Sequence, residues 1–271
     1  MPRADLHTHT TASDGRLAPA ALVRKAHAHG LAALSITDHD SVEAYPEAHP
    51  VADELGVELI PGVELSANID GRDVHLLGYG FDLENAPLRA HLTRYQTERR
   101  ERAEAILAKL DAIGRSVSLE RVLEIAGGGV IVRPHIARAL VEAGHAETMQ
   151  SAFAQYLGDG GPAFVPKGTA GPEELTDLVH AAGGVCVLAH PAEFVTFGVF
   201  ARLLKAGLDG IEVVHPMHGD GLTRRWRATA RRHGLLETGG SDYHGFSEHD
   251  EAKFGHYTVP AYRVKPLRQA A

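Results

Sequence analysis

The sequence predicts an α/β fold in which a parallel sheet with crossover helices is interrupted by an inserted helical segment. Three observations predict it. Apolar strands alternate with amphipathic helices at both ends of the chain, the order that gives right-handed βαβ crossovers. Those strands end in histidines and carboxylates, as strands that build an active site at one mouth of a barrel do. Residues 83–168 switch to a charged, strand-free helical pattern. With 271 residues and 44% hydrophobic side chains, the chain is long enough to bury a sizeable core.

Taken in order, Ala4–His9 reads as the first strand. A turn follows at Ser13-Asp14-Gly15, and then a helix over Pro19–His29 that Gly30 terminates. Leu31–Thr37 is a strand ending in Asp38-His39-Asp40. Ser41 stands where it would N-cap a helix that Pro46 and Pro50 break or shorten. Val57–Leu65 is a third strand, and Asp70-Gly71 turns the chain back through Arg72–Gly80 as a hairpin. The inserted segment holds a long helix from Pro87 to Ala112 and shorter ones over Leu119–Ala126, Pro134–Ala143 and Met149–Leu157. Alternating order then resumes: helix Glu173–Ala182, strand Val185–His190, helix Val199–Ala206, strand Gly210–His215, helix Leu222–His233 and strand Leu235–Gly240. The expected organisation is a discontinuous domain, 1–82 with 169–271, carrying an 83–168 helical insertion.

Composition narrows the function classes. A formal charge of -8 argues against stable binding to duplex nucleic acid, which needs a basic surface. It leaves room for a small anionic substrate held by local cations. The one cysteine, Cys186, excludes an intramolecular disulfide framework and reads as a buried strand thiol. No signal-like core or membrane-length apolar run is present, so a cytoplasmic location is the default.

The 18 histidines are the anomaly. In His7-Thr8-His9 on a strand, alternation sends both imidazoles to one side, where they can grip an ion at about 2.0–2.2 Å. Asp38-His39, Glu64, His190, Glu212/His215 and Asp242/His244 stand at the ends of other strands. His27, His29, His49, His91, His145, His180, His233 and His256 fall on helix or loop faces and read as surface residues.

Taken together, His7-Thr-His9, Thr37-Asp38-His39, Gly62-Val63-Glu64, Ala189-His190-Pro191 and Gly240-Ser241-Asp242-Tyr243-His244 resemble the successive motifs of the PHP (polymerase and histidinol phosphatase) family. The resemblance implies a distorted (β/α)7 barrel with up to three divalent metal ions that hydrolyse phosphate esters. It also implies the ligand sets: His7, His9, Glu64 and Asp242 for one ion; His39, His244 and Asp14 for a second; His75 and His190, with Glu64 bridging, for a third. Asp14 stands where many relatives place a histidine, a harder donor that favours Mn²⁺ or Mg²⁺ over Zn²⁺, with Mn²⁺ preferred. Asp5 and Asp38 are expected to orient ligand histidines, and His215 either to do the same or to bond locally at its strand end. A bridging hydroxide held near Glu64, Asp242 and His244 would be the nucleophile, so no serine or cysteine is needed.

Arg133-Pro134-His135, Val165-Pro166-Lys167 and His180 to Val185 are similar to the branch of nucleoside 3′,5′-bisphosphate phosphatases and RNase AM (TrpH-like) proteins, in which the insertion lids the barrel mouth. Arg133 and His135, with Lys167 and Arg99, are the expected phosphate-binding residues. The implied reaction removes the 3′-phosphate of a nucleoside 3′,5′-bisphosphate. The alternatives are a 5′→3′ exonuclease on short 5′-phosphorylated RNA, a non-catalytic metal-bound module, and metal-dependent C–N hydrolysis.

Overall fold

The computed structural model describes residues 1–166 and 170–268. β1 (Arg3–Asp5) is shorter than expected, and the two histidines lie beyond its end. α1 (Pro19–Ala28) opens on a proline, whose missing N–H costs nothing in a first turn. It buries Pro19, Leu22, Val23 and Ala26, one helical stripe. β2 (Leu31–Ile36) follows. α2 (Tyr45–Leu55) tolerates Pro46 in its first turn and runs through Pro50 without a break. Its N-cap is Ala44; Ser41 lies a turn too early and accepts from the Glu43 amide at 3.3 Å, so the expected capping role does not hold.

β3 (Glu58–Ile69) runs to the turn at Asp70 and Gly71. Both turn residues have left-handed φ (53° and 82°), the geometry of a two-residue hairpin, and β4 (Arg72–Tyr79) returns antiparallel. The inserted helices come next: α3 (Ala86–Ala112), α4 (Leu119–Ala126), α5 (Arg133–Glu142) and α6 (Met149–Ala152), which continues as a π turn over Phe153–Leu157. They share a core of their own, including Ile106, Leu110, Val122, Ile136, Leu140 and Leu157.

After α7 (Pro172–Ala181), β5 (Val185–Leu188) pairs antiparallel with β4, and Cys186 within it is buried. α8 (Phe197–Lys205), β6 (Gly210–Val214), α9 (Asp220–His233) and β7 (Leu236–Gly239) restore parallel pairing. The sequence reading missed α10 (Glu248–Lys253) and β8 (Val259–Pro260), which pairs antiparallel with β1. A 3-10 turn over Ala261–Leu267 packs against β1, β2 and β7.

The sheet order is β7-β6-β5-β4-β3-β2-β1-β8. It is not uniformly parallel. A two-residue link can join only antiparallel neighbours, so β4 enters reversed and β5 runs against it. Beyond the ends of β1 and β7 the chain closes on itself: Leu6 N–H donates to Gly239 O (3.2 Å), Asp242 N–H to His7 O (2.9 Å) and His9 N–H to Tyr243 O (3.0 Å). The fold is therefore a distorted, nearly closed α/β barrel. Gly240 permits that closure, because a methyl built on it would lie 2.4 Å from the His7 nitrogen. Among the described residues no helix is long and apolar enough to cross a membrane.

Candidate metal centre

Closure at this mouth gathers side chains from six separated stretches. His7 and His9, both fully buried, follow β1 in an extended segment. Glu64 lies on β3 at the centre. Its Oε1 is 2.8 Å from His75 Nδ1 and 2.9 Å from His190 Nε2. Its Oε2 is 3.1 Å from His39 Nδ1, 3.4 Å from His9 Nε2 and 3.5 Å from His7 Nε2. Asp242 Oδ1 is 3.4 Å from His7 Nε2 and 3.3 Å from His9 Nε2. Asp14 Oδ1 is 3.5 Å from His9 Nδ1 and 3.4 Å from His244 Nε2, and Asp14 Oδ2 is 3.8 Å from His39 Nε2.

The nine expected ligand residues therefore converge, and they fall into overlapping groups that share Glu64, His7, His9 and His39. His9, Asp14, His39 and His244 form one four-residue group. His7, Glu64 and His190 form a second, and His39, Glu64 and His75 a third. His7 and Asp242 form a fourth with His215. His75, which has no local motif, is brought in by its cross-strand pairing with Ser66, two residues from Glu64.

The donor chemistry fits divalent ions. His7 Nε2, both His9 ring nitrogens and His39 Nδ1 are buried without a hydrogen-bond partner. Leaving such groups unpaired is costly, yet each faces carboxylate oxygen at 3.1–3.5 Å. Donors sharing one ion at about 2.0–2.2 Å stand about that far apart. His7 Nδ1 bonds Glu212 Oε1 at 3.0 Å, which leaves Nε2 to face the cluster; Glu212 is the carboxylate that sets this ligand's orientation. His215 differs. Its Nδ1 accepts from the Met217 amide (3.1 Å), so the neutral ring carries its proton on Nε2, 3.4 Å from Asp242 Oδ2. In that tautomer Nε2 faces Asp242 as a donor.

Electrostatically the cluster couples buried carboxylates to buried imidazoles. Burial penalises the charge on Glu64, but His39, His75 and His7 outweigh it and hold the carboxyl well below its ordinary range. Asp242 and Asp14 follow the same pattern: burial opposes their charge, and neighbouring imidazoles prevail. Burial likewise disfavours imidazolium at His244, yet Asp14 and Asp242 raise it to about 10. At His39 burial dominates and the pKa falls to about 3.

Asp5 and Asp38 act less directly than expected. Asp38 accepts from Thr10 N–H (2.8 Å), Thr10 Oγ1 (2.6 Å) and Ser13 Oγ (2.5 Å), and Asp5 from Ser241 N–H (2.9 Å) and His7 N–H (3.3 Å). They fix backbone around the ligands rather than imidazole rings. His218 was overlooked. It accepts from Ala192 N–H at 3.0 Å through Nε2, while Nδ1 bonds Val213 O at 3.0 Å. This clamps a segment in which His190 (φ 23°) and Ala192 (φ 40°) are both left-handed. His91, expected at the surface, is buried and stacks on Tyr95.

Two cavities flank the cluster. One of about 610 Å³ is bounded by His75, His190, Arg133, Arg72, Phe194 and Met217. Another of about 360 Å³ is bounded by Asp14, His135, Arg138, Met149 and Phe246. Arg133 makes long contacts to Asp73 (3.5 Å) and Asp159 (3.6 Å) at the edge of the larger cavity. His135 is buried, and desolvation lowers its pKa. Arg99 is instead buried against Asp40 and Ser66, turned away from a phosphate-binding role. Lys167 lies outside the described residues.

Comparison with known proteins places these features in context. The PHP domain family matches residues 5–182. The chain is 37% identical to the 5′-3′ exoribonuclease Rnm of Escherichia coli (strain K12), over 89% of this chain and 84% of that protein. It is 34% identical to the 3′,5′-nucleoside bisphosphate phosphatase of Chromobacterium violaceum, over 92% and 89%. A crystal structure from Bifidobacterium adolescentis, provisionally named a metal-dependent phosphoesterase, superposes with a TM-score of 0.88 at 30% identity, covering 97% of this chain and 94% of that one.

Proposed function

The chain belongs to the PHP domain family and is a metal-dependent phosphoesterase, and from that premise we propose that it removes the 3′-phosphate of nucleoside 3′,5′-bisphosphates to leave nucleoside 5′-monophosphates. The observation that carries the reading is the larger cavity: it joins the imidazoles of His75 and His190 to the guanidinium of Arg133 and the apolar side chains of Phe194 and Met217. Its size falls within the range of small-ligand sites, about 300–1,000 Å³. A nucleotide presents this combination of anionic groups and a flat apolar base.

His7, His9, Asp14, His39, Glu64, His75, His190, Asp242 and His244 would hold up to three divalent ions, Mn²⁺ by preference because Asp14 adds a third, harder carboxylate donor beside six imidazoles. Such ions supply charge stabilisation for the phosphoryl oxygens and acidify water at neutral pH. Arg133 holds the second phosphate and fixes the ester's orientation. His215 faces Asp242 through Nε2 and would help orient that carboxylate. Glu212 keeps His7 in the ligating tautomer.

A second reading has its own observation. The smaller cavity opens on the Asp14 side of the cluster, with His135, Arg138 and Phe246 around it. Space on both sides of the metals suits a phosphodiester, as in 5′→3′ trimming of short 5′-phosphorylated RNA. Turnover of adenosine 3′,5′-bisphosphate with added Mn²⁺ should release phosphate and 5′-AMP. A 5′-phosphorylated trinucleotide run in parallel ranks the two activities. Failure to release phosphate from the bisphosphate while the trinucleotide is degraded would replace the first reading with the second.

A further inference from the structure

The turn carrying His39 is gripped from outside the barrel. Asp40, the next residue, is fully buried and left-handed (φ 47°). Its amide donates to Glu64 O at 2.9 Å, and its Oδ1 accepts from Ser66 N–H at 3.2 Å. Glu64 N–H in turn donates to Asp38 O at 3.2 Å. Asp38 and Asp40 therefore stitch the His39 turn to β3 on both sides of Glu64.

Two residues of α3, one turn apart, complete the grip. Gln96 Nε2 donates to Asp40 O at 3.2 Å. Arg99 Nε donates to Asp40 Oδ2 at 2.8 Å, its Nη2 bonds the same oxygen, and Nη2 also donates to Ser66 Oγ at 3.0 Å. Arg99 is only 8% exposed, and its Nε and Nη2 are both committed to protein atoms.

We propose that Gln96 and Arg99 are positioning residues for the metal centre: through Asp40 the inserted helix sets the His39 turn in register with Glu64. The proposal rests on reading His39 and Glu64 as metal ligands. A left-handed aspartate carrying a buried charge does not hold its place unaided. The forked guanidinium satisfies the carboxylate and the amide of Gln96 satisfies the carbonyl, so the turn keeps one conformation. Without them only the backbone hydrogen bonds of Asp38 and Asp40 with Glu64 hold the turn, and the distance from His39 to Glu64 is less tightly set.

The test titrates Mn²⁺ into metal-stripped full-length protein by calorimetry and follows the Mn²⁺ EPR signal, for wild type, Arg99→Met, Arg99→Lys and Gln96→Ala. Orienting groups around metal ligands are worth about 10–100-fold in affinity, which is the loss expected for Arg99→Met. Arg99→Lys should recover part of it. Gln96→Ala should lose about 2–10-fold, the worth of one hydrogen bond, and decides the matter if Arg99→Met fails to fold. Excess Mn²⁺ should restore kcat in the folded variants, with KM for the phosphate ester unchanged. Wild-type Mn²⁺ affinity in Arg99→Met and Gln96→Ala, or a raised KM with unaltered metal binding, overturns the proposal. A wild-type protein that binds no Mn²⁺ would instead overturn the metal-ligand reading beneath it.

Discussion

Gly240→Ala should dismantle the metal centre although Gly240 ligates nothing. A methyl at this position would lie 2.4 Å from His7 N, 2.5 Å from His7 Cβ and 2.8 Å from His7 Cα. Ordinary carbon contacts begin at about 3.5 Å, so the ends of β1 and β7 must separate by about 1 Å. The obstructing atoms are mostly backbone, which no rotamer change relieves. Metal–ligand distances tolerate about ±0.2 Å, roughly a fifth of that movement, and His7 and Asp242 lie on opposite sides of the gap. Overpacking of this kind costs about 1–3 kcal/mol, which in a chain of this size lowers Tm by about 2–12 °C. Activity should fall further than stability, by about 100-fold or more, because a 1 Å misplacement of reacting groups has that effect. The assay is phosphate release with bound metal measured by mass spectrometry, beside Gly198→Ala, where a methyl meets nothing within 4 Å. A folded Gly240→Ala protein with wild-type metal content and turnover would refute the reasoning.

Glu64→Gln removes the charge facing five imidazoles; phosphate release should drop about 10³-fold with loss of bound metal, and an unchanged metal content would contradict this. In metal-free protein His7 and His244 have raised pKa values, so their stabilisation is complete below the unfolded value of about 6.5 and is lost as pH rises through the folded one, about 10 for His244. The Tm of the chelated protein should therefore decline from pH 6.5 to 10 while that of the metal-loaded protein stays level. Scanning fluorimetry with and without EDTA checks this, and a level curve for the chelated protein counts against it. His218→Ala leaves the Ala192 amide and Val213 carbonyl unpaired; a stability loss of about 1–3 kcal/mol by urea titration is expected, together with weaker metal binding as His190 loosens. Wild-type values for both would show that the clamp is dispensable.

His7, His9, His39, His190, Asp242 and His244 were legible as candidate ligands because they follow apolar strands, where alternation and strand ends constrain where side chains can go. Glu64, His190 and Asp242 needed only local motifs. The Asp70-Gly71 turn likewise announced the β3–β4 hairpin. What the sequence hid depends on contacts between distant segments. Nothing near Arg99 distinguishes it from the solvated arginines of the same helix, since Asp40 lies 59 residues away. Gly240 looks like any loop glycine until His7 is seen against it. His218 has no motif, because its partners belong to a strained loop and a strand edge. Asp5 and Asp38 were recognised as supporting groups, but their targets, backbone amides and hydroxyls, carry no signature in side-chain pattern.

The unbroken run of α3 also has a consequence for how freely the insertion can move. Its first half packs Leu88, Leu92 and Tyr95 into the barrel core, and its second half packs Ile106 and Leu110 into the core of the insertion. A single rod of 27 residues, about 40 Å long, bridges the two with no joint. The insertion cannot turn against the barrel without bending that helix, so the placement of the two cores is set when the chain folds.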